Sequence, residues 1–275
     1  MSNCLLGAAV VSNLPLRILL PAEGGGYRPP GLEDFRFPGL FGTEWLNKPF
    51  LQLVISAVLV LLLWFLGSRN LKLIPGKGQF FMESLYNFIR DGVAREIIGH
   101  NFQKYTGLLV AMFTFVLINN WFGEFFLFMF PTFSNIGYTW GVVVFIYITY
   151  IGAGLATHGL KYFKISLIPE GVPWYLWPLI VPIEFISNFI TRPLTLAVRL
   201  FANMFAGHLS IMVFVIGGAF LLTYANNLMF NIAGGVSLIF SMAMLALEIF
   251  IGFLQAYIFT ILTAQYISSS ISDSH

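Results

Sequence analysis

From Leu179 to Ile271 the only formal charges are Glu184, Arg192, Arg199 and Glu248, with His208 as one further titratable group. A stretch so apolar has too few charges to form the surface of a soluble domain. A charge near the middle of a bilayer costs at least ~2.5–3.5 kcal/mol on insertion scales, so those retained there point to ion or proton handling. The whole chain is 58% hydrophobic and 9% charged, against roughly 25% charged in an ordinary soluble domain. Its net charge of +2 is too small to favour nucleic acid. Cys4 is the sole cysteine, which excludes an intrachain disulfide and a cysteine metal cluster. Met1–Leu20 lacks the basic start of a signal peptide, its first cation being Arg17, so the first true span is expected to direct insertion.

The layout that follows is an all-α polytopic membrane protein, with about five membrane-embedded helices plus an interfacial amphipathic helix. Residues 1–48, rich in Pro and Gly, read as an extramembrane arm, and residues 49–275 as a single membrane domain. The first span is expected at about 50–67. The basic cluster Arg69, Lys72 and Lys77 after it belongs on the cytoplasmic side. Phe81, Leu85, Phe88 and Ile89 recur at helical spacing, which predicts an amphipathic helix over about 78–99. A solvated connecting helix would show the same spacing.

Further spans are expected at about 103–123 and 139–158, with the acidic, lysine- and arginine-free Glu124–Tyr138 between them facing outside. Lys161 and Lys164 mark a second cytoplasmic loop, so the N-terminus lies outside and the C-terminus inside. Pro169, Pro173, Pro178 and Pro182 are expected to delay regular helix until about Ile183. Two long helices, about 183–223 and 228–268, would each measure ~60 Å, twice the hydrocarbon thickness. They must tilt steeply, bend or break, with Gly217-Gly218 and Gly234-Gly235 as the weak points.

Helical spacing arranges the polar groups. Arg192, Thr195, Arg199, Asn203 and Ala206 share one stripe. His208 lies ~13 Å beyond Arg199 along the axis and about half a turn away. Glu248 and Gln255 share a face, with the small Gly252 between them and Ala256 nearby to admit another helix. A guanidinium stays protonated, so Arg199 must act as a fixed cation, while His208 and Glu248 can exchange protons. A fixed cation near two titratable groups is what a proton-translocating interface needs.

The string Arg192-Pro-Leu-Thr-Leu-Ala-Val-Arg-Leu-Phe-Ala-Asn-Met-Phe-Ala-Gly-His208 resembles the signature of the subunit a family of F-type ATP synthases. Glu248 with Phe253-Leu-Gln-Ala-Tyr-Ile-Phe259 resembles that family's last helix, and Pro75-Gly-Lys77 fits as well. The resemblance runs from Asn47 onward, and the first ~46 residues look like the arms of actinobacterial relatives. It implies a proton-conducting, non-catalytic stator subunit, with two half-channels against a rotating c-ring. Its implied partners are c-ring subunits, peripheral-stalk b-type subunits, other ATP synthase subunits and membrane lipids. No nucleic acid, cofactor or metal is implied.

By this resemblance Arg199 faces the ring carboxylate, flanked by Asn203 and Gln255. His208 and Glu248 hold two positions that many bacterial relatives fill the other way round, which implies one proton-handling pair. Asn119 or Asn120 matches a polar residue of the outer half-channel. Where several relatives then carry an acid, this chain has Trp121-Phe122, with Glu124 later. The long arm favours a bacterial plasma membrane over the mitochondrial inner membrane.

Other roles fit some of these residues. Arg199 would serve as a structural cation if paired with Glu184 or Glu248. Arg192 is read equally as a headgroup-seeking or a functional cation. Glu184 suits a helix-start acid, with a cytoplasmic exit as the second reading. His100, His158 and His275 read as loop or terminal residues, and Trp45, Trp174 and Trp177 as interfacial anchors. A proton-coupled secondary transporter would also hold charges at mid-membrane, but internal repeats are expected there and the Arg199 region has no second copy. An intramembrane enzyme would need a nucleophile or metal motif such as Gly-x-Ser-x-Gly or His-Glu-x-x-His, and the chain contains neither.

Overall fold

The computed structural model describes residues 29–31, 35, 47–69, 72–125, 131–168, 173–224 and 228–272. The expected arm therefore lies largely outside the described residues, as do Cys4, Arg17, Trp45, Pro169 and His275. The described residues form helices and turns: α1 Lys48–Arg69, α2 Lys77–Ile89, α3 Phe102–Glu124, α4 Ile136–His158, α5 Lys161–Leu167, α6 Trp177–Phe185, α7 Arg192–Tyr224 and α8 Leu228–Ile271. Five stretches among them are long and apolar enough to cross a membrane: α1, α3, α4, Trp174–Thr223 and α8. The chain is an all-α polytopic membrane protein.

Local chemistry sets the helix boundaries. Pro49 occupies the first turn of α1, where an absent N–H breaks no helical bond. Asn135 caps α4 by accepting the Gly137 N–H at 3.0 Å. Gly159 ends α4 at a φ of +58°, a conformation that side chains with a Cβ rarely adopt.

The chain divides into two compact units, one of residues 48–204 with 251–275 and the other of residues 1–47 with 205–250. The first holds a core built around Ile89, Val93, Leu109, Phe113, Val116 and Phe259, all fully buried. In the second, α7 and α8 cross closely. A Cβ on Gly234 would stand 2.9 Å from the Gly218 carbonyl oxygen, so only glycine admits this approach.

Three expectations are corrected. Gly217-Gly218 and Gly234-Gly235 do not break their helices; α7 and α8 run through them unbroken, and the missing side chains of Gly218 and Gly234 serve packing. Regular helix begins at Trp177, after a 3₁₀ turn over Trp174–Leu176, rather than at Ile183. Pro178 sits in the first turn, and Pro182 is absorbed within the helix at the loss of one backbone bond. The irregularity falls instead in a π-helical segment, Ile186–Thr191. The interfacial helix is likewise not one continuous α-helix. After Ile89 it widens into a π-helical segment, Arg90–Arg95, before a last turn over Glu96–Ile98. Leu85 and Ile89 pack into the core while Phe80 and Phe81 remain more than half exposed, which suits a membrane surface better than a solvated connector.

At 1.5 Å per residue α7 is ~50 Å long and α8 ~66 Å, both well beyond the ~30 Å hydrocarbon core.

Candidate functional site

Arg199 sits on α7, and the residues around it explain its orientation. Leu196, Ala197, Leu200 and Met204 are at most 2% exposed and anchor one side of the helix. Thr195 and Arg199 fall on the other side and are exposed. Arg199 makes no ion pair or hydrogen bond among the described residues, which removes the reading as a cation paired with Glu184, a residue of the same unit. One turn on, Asn203 is half-buried and its Nδ2 lacks a partner among them. Gln255 on α8 is buried at 6% exposure, and its Nε2 is likewise without a partner.

Arg192 behaves differently from Arg199. Its guanidinium lies 5.4 Å over the Tyr266 ring, and Nη1 donates to Ser269 Oγ at 3.5 Å. It is a packed cation held by the C-terminal part of α8.

In the second unit Glu248 is 3% exposed. A Cβ built on Gly207 would collide with its carboxylate. The carboxylate therefore lies against bare α7 backbone at the residue before His208. The Phe35 ring meets the His208 ring edge-on at 6.2 Å and lies 4.7 Å from Phe205. Gly207 was not singled out from the sequence, although its place beside His208 carried the signal.

Asn119 and Asn120, adjacent near the end of α3, are both fully buried. Asn119 donates to Ser56 Oγ at 2.7 Å and to the Phe115 carbonyl at 2.8 Å. Asn120 donates to the Gly252 carbonyl at 2.9 Å, the close approach that the small residue permits. Both Oδ1 atoms are buried with no partner among the described residues, as are the two amide atoms of Gln52, one turn before Ser56 on α1. Such atoms call for water. Glu124, half-buried, is the last residue of α3.

Glu184 is not a helix-start acid, because it is the last residue but one of α6, followed by the π-helical segment. Its Oε2 accepts from Asn188 Nδ2 at 3.1 Å, and the same amide reaches Ser166. Tyr150 donates to the Asn188 carbonyl at 3.1 Å. Asn188, Ser166 and Tyr150 escaped the sequence reading because neither spacing nor charge marks a polar cluster assembled from separate helices. His158 ends α4 and His100 lies in the turn before α3.

The family model for the ATP synthase A chain matches residues 50–268, most of the chain and all of these residues except Phe35 and Ser269. The chain belongs to the ATP synthase subunit a family. It is similar to ATP synthase subunit a of a Nocardioides species, 39% identical over 271 residues that cover 94% of this chain and 98% of that protein. Likewise, it is 41% identical to ATP synthase subunit a of Paenarthrobacter aurescens over 94% of this chain and all of that protein. As a subunit a family member with five membrane-crossing stretches, it is a bacterial membrane protein of an ATP synthase, tied to proton transport and ATP synthesis.

Proposed function

We propose that this chain is the proton-conducting stator subunit of an F-type ATP synthase, coupling proton flow to rotation of a c-ring. The observation that carries this reading is the exposed Arg199 guanidinium, unengaged among the described residues and set within a stretch apolar enough to span the membrane. A permanent cation that no described residue of its own chain neutralises fits a carboxylate supplied by another subunit.

In this mechanism protons enter from outside through a path lined by Asn119, Asn120 and Glu124, then pass the His208–Glu248 region. They load onto a ring carboxylate, and the neutral site rotates through lipid. On the other side of Arg199 the proton leaves toward the cytoplasm, with Glu184 at the exit and Asn203 and Gln255 flanking the arginine. Arg199 bars a direct leak, because a proton passing it would have to cross a fixed like charge. Each charge moved across the full membrane contributes ~2.3 kcal/mol per 100 mV. Buried amide atoms that require water, those of Gln52, Asn119 and Asn120, support a wet path on the outer side.

The chain makes no ATP itself. Peripheral-stalk b-type subunits hold it still, and its N-terminus lies outside the bacterial plasma membrane with the C-terminus in the cytoplasm. The test is a disulfide cross-link between a cysteine placed one turn from Arg199, at Thr195 or Asn203, and one beside the ring carboxylate. Formation of the link in intact membranes is expected; its absence from every pairing in an assembled, active complex would defeat the reading.

A further inference from the structure

The basic groove beside the interfacial helix has no part in the mechanism above, and its construction is specific. It has a volume of about 590 Å³ and is lined by Tyr86, Arg90, Asp91, Arg95, Phe102, Gln103 and Thr106. All lie in one compact unit, at the junction of α2, the π-helical segment and the start of α3.

The π-helical segment makes the groove. In an α-helix Arg90 and Arg95, five residues apart, would point about 140° away from each other. A π-helix closes hydrogen bonds between residues five apart, so the two arginines border one cavity.

The charges then sort themselves. Arg90 donates to both Asp91 oxygens, Nε to Oδ1 and Nη2 to Oδ2, each at 3.0 Å, and its guanidinium lies 5.8 Å from the centroid of the Tyr86 ring. That hydrogen-bonded pairing holds the Asp91 carboxyl below the usual carboxylate range. Asp91 is thus engaged by Arg90, while Arg95 is exposed and forms no hydrogen bond or ion pair among the described residues. Gln103, exposed and also lining the groove, adds amide donors. Thr106 does not, since its hydroxyl donates to the Phe102 carbonyl at 2.8 Å.

We propose that this groove binds a phosphate-bearing anion, the headgroup of an anionic phospholipid or a soluble phosphate, gripped by Arg95 and Gln103. The planar guanidinium fork matches two phosphate oxygens. The half-buried Phe102 ring supplies an apolar wall for the carbons next to the phosphate. The groove lies where the membrane-crossing α3 begins, beside a helix that exposes Phe80 and Phe81. Residues 69–104 carry six cations (Arg69, Lys72, Lys77, Arg90, Arg95 and Lys104) against three acids (Glu83, Asp91 and Glu96), an excess that draws anionic surfaces.

The experiment uses the intact, delipidated ATP synthase complex, with bound phosphatidylglycerol counted by native mass spectrometry during a titration. Saturable binding is expected, weakened about tenfold or more by Arg95→Gln and little changed by Lys104→Gln, whose charge lies outside the groove. Arg95→Lys keeps the charge without the fork and is expected to fall between them. Inorganic phosphate is added as competitor: displacement at comparable concentration assigns a soluble phosphate, and failure to displace assigns the lipid. Equal titrations for Arg95→Gln and the unaltered complex overturn the proposal. So does a photo-cross-linker at position 103 that labels a neighbouring polypeptide equally with and without added phosphatidylglycerol or phosphate.

Discussion

Arg199 and Glu248 are both isolated charges on long apolar helices, and the chain treats them in opposite ways. Arg199 stands exposed on α7, with its packed neighbours on the other side of the helix. Glu248 is 3% exposed and lies against the bare backbone of Gly207. The contrast follows from their chemistry. A carboxylic acid can take up a proton and be enclosed as a neutral group, whereas a guanidinium keeps its charge and must meet water or a partner's anion. One side chain is exposed, while the other is enclosed within its own unit.

The sharpest way to break this comparison is Arg199→Ala. Coupled ATP synthesis in membrane vesicles should fall by about 100-fold or more, the scale of losing a desolvated charge interaction. Because the side chain is exposed in the chain itself, assembly seen on native gels should persist. Synthesis at the normal rate in the variant would falsify the outward role. Glu248→Gln keeps the shape and removes the exchangeable proton, so passive proton conduction should drop about tenfold to hundredfold. Unchanged conduction would take Glu248 off the path.

Gly207→Ala separates position from chemistry. The added methyl collides with the flexible end of Glu248, so conduction should fall several-fold while the thermal unfolding midpoint barely moves. Gly234→Ala should do the reverse. Its Cβ meets the Gly218 carbonyl, and overpacking of this kind costs about 1–3 kcal/mol. Equal loss of stability in both variants would blur the distinction between a functional glycine and a packing one.

Of similar size is Asn120→Ala, which strips the buried side-chain hydrogen bond to the Gly252 carbonyl and should cost about 1–3 kcal/mol in a melting experiment. The smallest effect belongs to the exposed Arg90–Asp91 pair. Asp91 titrates below its ordinary value, so whatever stability the pair adds is complete near pH 7 and is lost as pH falls through that depressed value. Melts of Asp91→Asn should differ slightly from the parent at neutral pH and converge with it in acid.

Much was legible in the residues alone. Charge scarcity and run length foretold the membrane helices, and the stripe through Arg192, Thr195 and Arg199 followed from helical period. Misjudged features depend on neighbours distant in sequence. Gly218 reads as a flaw in an isolated helix and becomes a contact once Gly234 of the partner helix approaches. Prolines 178 and 182 read as barriers, although an early turn tolerates the one and the helix continues through the other, exposed, at the loss of one backbone bond. Asn188 is an unremarkable polar residue until Ser166, Glu184 and Tyr150 converge on it.

By itself the sequence determined that this chain lives in a membrane, is helical, and carries a charge that can never be neutralised. Those properties follow from composition and period, which each residue carries with it. Tertiary structure decided that Arg199 looks outward, that Glu248 is enclosed against a glycine, and that two arginines share one groove. Burial and pairing depend on what lies across the helix interface, and no local pattern encodes that.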